Sequence, residues 1–175
     1  MQSELLQIKG LVVGIAAFTG MGMSFYNLWR DQNKEKVKLV VTPKSIKSWG
    51  RTDTGQEFSV STKHSFDGKT SRNLFVIEVI NLSKFDVTVD EIGFLYPRRK
   101  DRAVITGPTL FDNKPFPRKL EPRESVSIYC NISDLLQGSD VHLYKYAYAE
   151  TACGEMRKGT SKALTEFSAF AKKFV

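Results

Sequence analysis

Apolar positions along this 175-residue chain fall into two unlike patterns. From Leu11 to Trp29, LVVGIAAFTGMGMSFYNLW, nineteen residues pass without a charge, bracketed by Lys9 and Arg30. A helix crossing a bilayer core needs roughly 20 such residues. From Val37 onward the pattern becomes alternation of apolar with polar, the mark of strands that bury one face. Val37, Leu39 and Val41 alternate up to Pro43, and Phe58 and Val60 alternate with serines. LFVIEVIN (74–81) is nearly continuous, as a central strand requires. FDVTVDEIGFLYP (85–97) reads as two strand pieces with a bend at Asp90-Glu91. ESVSIYCNI (124–132) places Val126, Ile128, Cys130 and Ile132 on one face. HLYKYAYAE (142–150) sets Leu143, Lys145, Ala147 and Ala149 opposite Tyr144, Tyr146 and Tyr148. TACGEMRKG reads as a last hairpin turning at Cys153-Gly154.

About seven short strands with no helical period between them predict a mainly β domain, an immunoglobulin-like antiparallel β-sandwich over residues 37–160. Residues 1–30 are expected to form a transmembrane anchor helix and 31–36 a polar linker. In the tail, SKALTEFSAFAKKFV, Leu164, Phe167, Phe170 and Phe174 share roughly one helical face. Residues 161–175 are therefore expected to be a short amphipathic C-terminal helix, lying on anionic lipid or on the sandwich.

Two other readings of the first segment are weaker. A buried core helix would show a polar stripe, and none runs through these five turns. A cleaved signal peptide would need small residues where bulky Phe25, Tyr26 and Trp29 stand. Those aromatics, followed by Arg30, suit the membrane–water interface. Flanking cations set the orientation: Lys9 stands before the span, and Arg30, Lys34, Lys36, Lys38, Lys44 and Lys47 follow it. The positive-inside bias puts the C-terminal domain in the cytoplasm. Cys130 and Cys153 are then expected to be reduced, and the sequons at Asn81 and Asn131 unused. Gly10 and Gly14 have the spacing of a helix-pairing motif, a route to a homo-oligomer.

The net charge of +7 belongs to residues 30–175. Its densest stretch is the connection after Tyr96, where PRRKDR is followed by FDNKPFPRKLEPRE. Arg98, Arg99, Lys100, Arg102, Arg118, Lys119 and Arg123 form a candidate patch for an anionic partner, with Phe111 and Phe116 interleaved. The competing reading is a solvated loop that keeps an edge strand from aggregating. Nucleic acid is not an expected partner, because no recognition module accompanies the charge. No nucleophile elbow, phosphate loop or zinc-protease helix occurs. His64, His142, Cys130 and Cys153 lack the close-spaced pairs of a zinc site, so no metal, cofactor or catalysis is expected.

Three stretches carry a resemblance: SFYNLWR, VIEVINLSKFDVTVDEIGF and LEPRESVSIY. Their order resembles that of small bacterial single-pass membrane proteins bearing an immunoglobulin-like β-sandwich. The resemblance implies architecture and a bacterial inner membrane, without a shared activity. Those proteins usually have glycine in the LEP-x-ES turn, where this chain has Arg123. The expected function is a non-catalytic, membrane-anchored binding or adaptor protein presenting its sandwich to a partner protein or anionic lipid. The alternative is a structural subunit of a larger membrane or viral assembly, and a third class is an enzyme completed by a partner.

Overall fold

The computed structural model describes residues 14, 17–31, 36–68, 71–97, 101–112, 114–138 and 140–173. It divides into two units, Met1–Lys36 and Val37–Val175. In the first, residues 17–31 form helix α1, and Gly14 is helical as well. The Ser24 hydroxyl donates to the Gly20 carbonyl at 2.9 Å, which satisfies it within its own helix. Tyr26 and Trp29 lie one turn apart with ring centroids separated by 6.5 Å. Among the described residues no helix is long and apolar enough to cross a membrane. The expected span includes positions 11–13, 15 and 16, which lie outside the described residues, as do Gly10 and linker positions 32–35.

The second unit is mainly β. Its described strands are β1 (Leu39–Arg51), β2 (Glu57–Thr62), β3 (Leu74–Asn81), β4 (Val87–Leu95) and β5 (Arg102–Val104). After them come β6 (Arg118–Leu120), β7 (Ser125–Asn131), β8 (Tyr146–Thr151) and β9 (Met156–Gly159). They make two antiparallel sheets, ordered β2-β1-β3-β7 and β5-β4-β8-β9, with β6 also paired to β4. Alternation delivers Val41, Phe75, Ile77, Val79, Val126 and Ile128 from one sheet to the core. The other sheet supplies Val89, Ile92, Phe94, Ala147 and Ala149. Phe75 and Phe94 meet across the gap with ring centroids 6.4 Å apart. The sheets draw together where β9 passes β1: a Cβ on Gly159 would run into the Val41 carbonyl, so this seam requires glycine.

Helix α3 (Lys162–Ala171) settles the choice left open for the tail. Ser161 caps it by accepting from Leu164 N–H. Its apolar face, Ala163, Leu164, Phe167 and Ala171, is buried in the core rather than offered to lipid. Phe167 packs 5.1 Å from Phe75 and 5.2 Å from Phe66. Phe174 lies outside the described residues.

Several details depart from the sequence pattern for local reasons. β1 runs on past Pro43 to Arg51 through a bulge between Ile46 and Ser48. The bend at Asp90 is also a bulge, between Val89 and Glu91. A short helix α2 (Ile132–Leu136) follows β7 at once, capped by Asn131, whose side chain accepts from Ser133 N–H at 2.9 Å. The strand expected from His142 begins only at Tyr146, after a 3-10 turn. Face parity is lost across that turn. Tyr144 therefore swings inward and stacks on Phe94 at 4.6 Å, although alternation placed it with Tyr146 and Tyr148.

One buried amide ties two turns together. Asn81 is wholly buried; its side chain donates to the Phe85 carbonyl at 2.9 Å and the Leu120 carbonyl at 3.0 Å. Its amide oxygen accepts from Ser83 N–H at 2.8 Å. Burial alone therefore closes the first sequon. The Asn81 carbonyl accepts from Arg123 N–H at 2.7 Å, and Arg123 sits at φ 68°. Glycine adopts that left-handed conformation without the Cβ penalty that Arg123 carries. Asn81→Ala is expected to cost about 3 kcal/mol, because it strands buried carbonyls. Arg123→Gly is expected to add about 0.5–1 kcal/mol by relieving the backbone. Thermal melts check both, and a lowered midpoint for the glycine variant would refute the second.

Candidate binding surfaces

Of the seven cations in the candidate patch, Arg98, Arg99 and Lys100 lie outside the described residues. The other four do not converge. Arg102 stands opposite Leu95 on β4, whereas Arg118 stands opposite Val89. Six residues of strand separate those positions, about 20 Å at the usual strand rise.

Three of the four are also matched by carboxylates. Arg102 Nε lies 3.0 Å from Glu91 Oε1, and its Nη1 pairs with Glu150. Its guanidinium lies 5.7 Å from the centre of the Tyr148 ring. Tyr148 is buried on the outer side of its sheet because Gly93, opposite it, leaves room for the ring. The Tyr148 hydroxyl donates to Glu91 at 2.6 Å. Burial, reinforced by that carboxylate, raises the phenol pKa and keeps it protonated. Arg118, 7% exposed, bonds Asp112 and Glu124, each at 3.1 Å. Lys119 pairs with Asp86 at 2.7 Å. Arg123 is exposed in its turn and forms no ion pair among the described residues.

An open pocket of about 520 Å³ sits beside Arg118, lined by Lys114, Pro115, Pro117, Lys119, Glu121 and Glu124 as well. Its three cations face two carboxylates, so it offers little net field to an anion. Glu124 is held below the usual carboxylate range, first by the Glu121 N–H that donates to it at 2.8 Å and then by Arg118. The aromatics of this connection are also committed elsewhere. Phe116 packs against the core. Phe111 is carried to the outer face of the other sheet, where Thr109 O accepts from Tyr129 N–H at 3.0 Å. There Trp49 meets Phe111 at 4.9 Å and Tyr129 at 5.8 Å, and the Arg72 guanidinium covers Trp49 at 4.5 Å. Sequence reading missed this cluster; its only signal was an aromatic in each of three segments remote from one another.

Among the described residues, β2 presents exposed apolar side chains at a sheet edge. Phe58 and Val60 are each 51% exposed at the outer strand of their sheet. Their alternation with serines was visible in the sequence. Phe25, Tyr26, Trp29 and Arg30, the residues expected at a membrane interface, all lie exposed on α1.

Reactive groups are scattered. Burial pushes the Cys130 thiol up to about 12, so it stays protonated and inert on its strand. Cys153 is exposed in the β8–β9 turn, its sulfur 3.0 Å from Thr151 Oγ1. Among the described residues no three of His, Cys, Asp and Glu gather to hold a metal. No protein-family model, curated protein or solved structure matches this chain.

The depressed Glu124 carboxyl yields a pH prediction. Its contribution to stability is complete above the unfolded carboxyl value, near pH 4.3, and is lost as pH falls through the lower folded value. Glu124→Gln should melt below the parent at pH 7, and the gap should close below about pH 4. A gap that stays constant over that range in thermal melts would show that its charge is not what matters.

Proposed function

We propose that this chain is a non-catalytic, membrane-anchored binding protein whose β body stands in the cytoplasm at the inner membrane. One observation carries the reading. The charge-free run ends on a helix bearing Tyr26, Trp29 and Arg30, and a separate compact unit begins at Val37. Aromatic and basic residues at the close of an apolar helix favour the headgroup layer, and the six cations from Arg30 to Lys47 favour the cytoplasmic side. The order β1-β3-β7 against β5-β4-β8-β9 supports an immunoglobulin-like sandwich for the body. A protein partner fits better than anionic lipid, since Arg102, Arg118 and Lys119 already hold carboxylates while Phe58 and Val60 are open.

The test uses the two thiols. Cys130 is buried, so a thiol reagent reports on Cys153 alone. Carbonate-washed membranes should retain the full chain and release it once residues 1–30 are deleted. A membrane-impermeant maleimide should label Cys153 only after the cells are opened. A full chain found in the soluble fraction would end the anchor reading, and labelling in intact cells would reverse the orientation.

A further inference from the structure

We infer that β2 is a self-association edge, through which two copies of the chain pair antiparallel with Val60 on the two-fold axis. The inference does not depend on the membrane reading, because it concerns only the Val37–Val175 unit.

The edge is open in a way the others are not. β2 is bonded to β1 on one side and is outermost on the other. Thr52 N–H donates to the Gln56 carbonyl at 2.8 Å and so closes the β1–β2 hairpin. Alternation from that pair turns the backbone groups of Phe58 and Val60 toward β1 and those of Glu57, Ser59 and Ser61 outward. Natural edges are blunted by proline, by charge or by a covering segment. Between Phe58 and Thr62 there is neither proline nor charge, and Phe58 and Val60 are half-exposed. The β7 edge, by contrast, is covered where Thr109 bonds Tyr129. β9 lies against β1 at the glycine seam, and β5 carries Arg102 locked to Glu91 and Glu150.

Charge complementarity selects both the occupant and the register. Only outward-facing residues can hydrogen-bond across the edge, and self-pairing centred on Ser59, Val60 or Ser61 overlaps most of the strand. Centred on Val60, each Ser59 exchanges bonds with Ser61 of the other copy, and Phe58 faces Thr62. Glu57 then faces Lys63 at both ends. Lys63 is the first residue past β2, its carbonyl is bonded to Ala163 N–H at 3.1 Å, and its exposed side chain alone meets the exposed Glu57. Centring on Ser59 sets Glu57 against Ser61 and Lys63 against Gly55. Centring on Ser61 sets Glu57 against Ser65. Only the Val60 register joins opposite charges. Arg72 already holds both oxygens of Glu57, Nη1 to Oε2 at 3.4 Å and Nη2 to Oε1 at 3.3 Å, and each oxygen keeps a further lone pair with which to accept from a second cation. A two-fold pair of identical edges is self-complementary and closes without forming a fibre. Six residues a side make a small contact, so the association is weak and depends on concentration.

The experiment uses the purified full chain in a Cys153→Ser background, with one cysteine introduced at Val60 or at Gln56 and Cys130 left buried. Facing residues of a non-hydrogen-bonded pair lie about 4.5 Å apart, within disulfide reach, so V60C should give a linked dimer on mild oxidation. Gln56 of the two copies would lie about 26 Å apart, so Q56C should not. Glu57→Lys and Lys63→Glu should each lower V60C linkage several-fold, and the double reversal should restore it. Helix pairing through Gly14 would bring copies together without favouring Val60 or responding to these charges. Linkage no greater at Val60 than at Gln56, or failure of the double reversal to rescue, overturns the inference. So does capture of an unrelated strand on β2 with no self-linkage.

Discussion

Phe75 is the residue on which the body is assembled. It is fully buried on β3, a strand with a neighbour on each side, and points into the gap between the sheets. Its ring meets Phe94 of the other sheet at 6.4 Å, Phe167 of α3 at 5.1 Å and Phe66 of the β2–β3 connection at 6.5 Å. Three separate parts of the chain thus share one aromatic contact. Each such pair contributes about 0.5–1.5 kcal/mol beyond the area it buries. Phe94 extends the row by stacking on Tyr144 at 4.6 Å. The ladder explains why α3 belongs to the body: an amphipathic helix whose phenylalanine already lies in the core has no apolar face left for lipid.

The sequence made parts of this visible and hid others, and burial geometry separates the two. Wherever a strand buries one face, its composition alternates, so period alone groups Val126, Ile128 and Cys130 on the face that the structure buries. Alternation cannot be carried through a turn, which is why Tyr144 was placed on the wrong face. The far half of β1, SIKSWGR, buries only Ser45 and Ile46 fully, and a loop covers the half-buried Trp49 rather than the facing sheet. Helix α2 has five residues, too few to display a 3.6 period. The hairpin at Gly154 and the bulge after Val89 were legible because glycine and paired acidic residues mark breaks locally.

Charge shows the same division more sharply. Each cation of the candidate patch is plain in the sequence, but its partner is not. Glu150 lies 48 residues from Arg102, and the strand pairing β5-β4-β8 that unites them has no local signature. Counting arginines therefore overstated the field available to an anion. A guanidinium already held by carboxylates presents a reduced field, and breaking those pairs would cost whatever a ligand returned. The net positive balance of the chain is real, yet along this connection the described part of it is largely spent on holding β4, β5, β6 and β8 in register.

The β2 edge proposed for self-association behaves differently from a charged patch. Backbone groups supply its attraction, so it discriminates little by itself. Specificity must come from the side chains flanking it, which on β2 are Glu57 and Lys63, one of each sign. A strand with opposite charges at its two ends suits its own reversed copy and repels a parallel one. The contact is small, so its occupancy follows local density. Confinement of the copies to a membrane plane would raise their effective concentration without adding a contact. The proposed anchor and the proposed edge would thus complement one another physically: the first would supply concentration, and the second would convert concentration into a defined pairing.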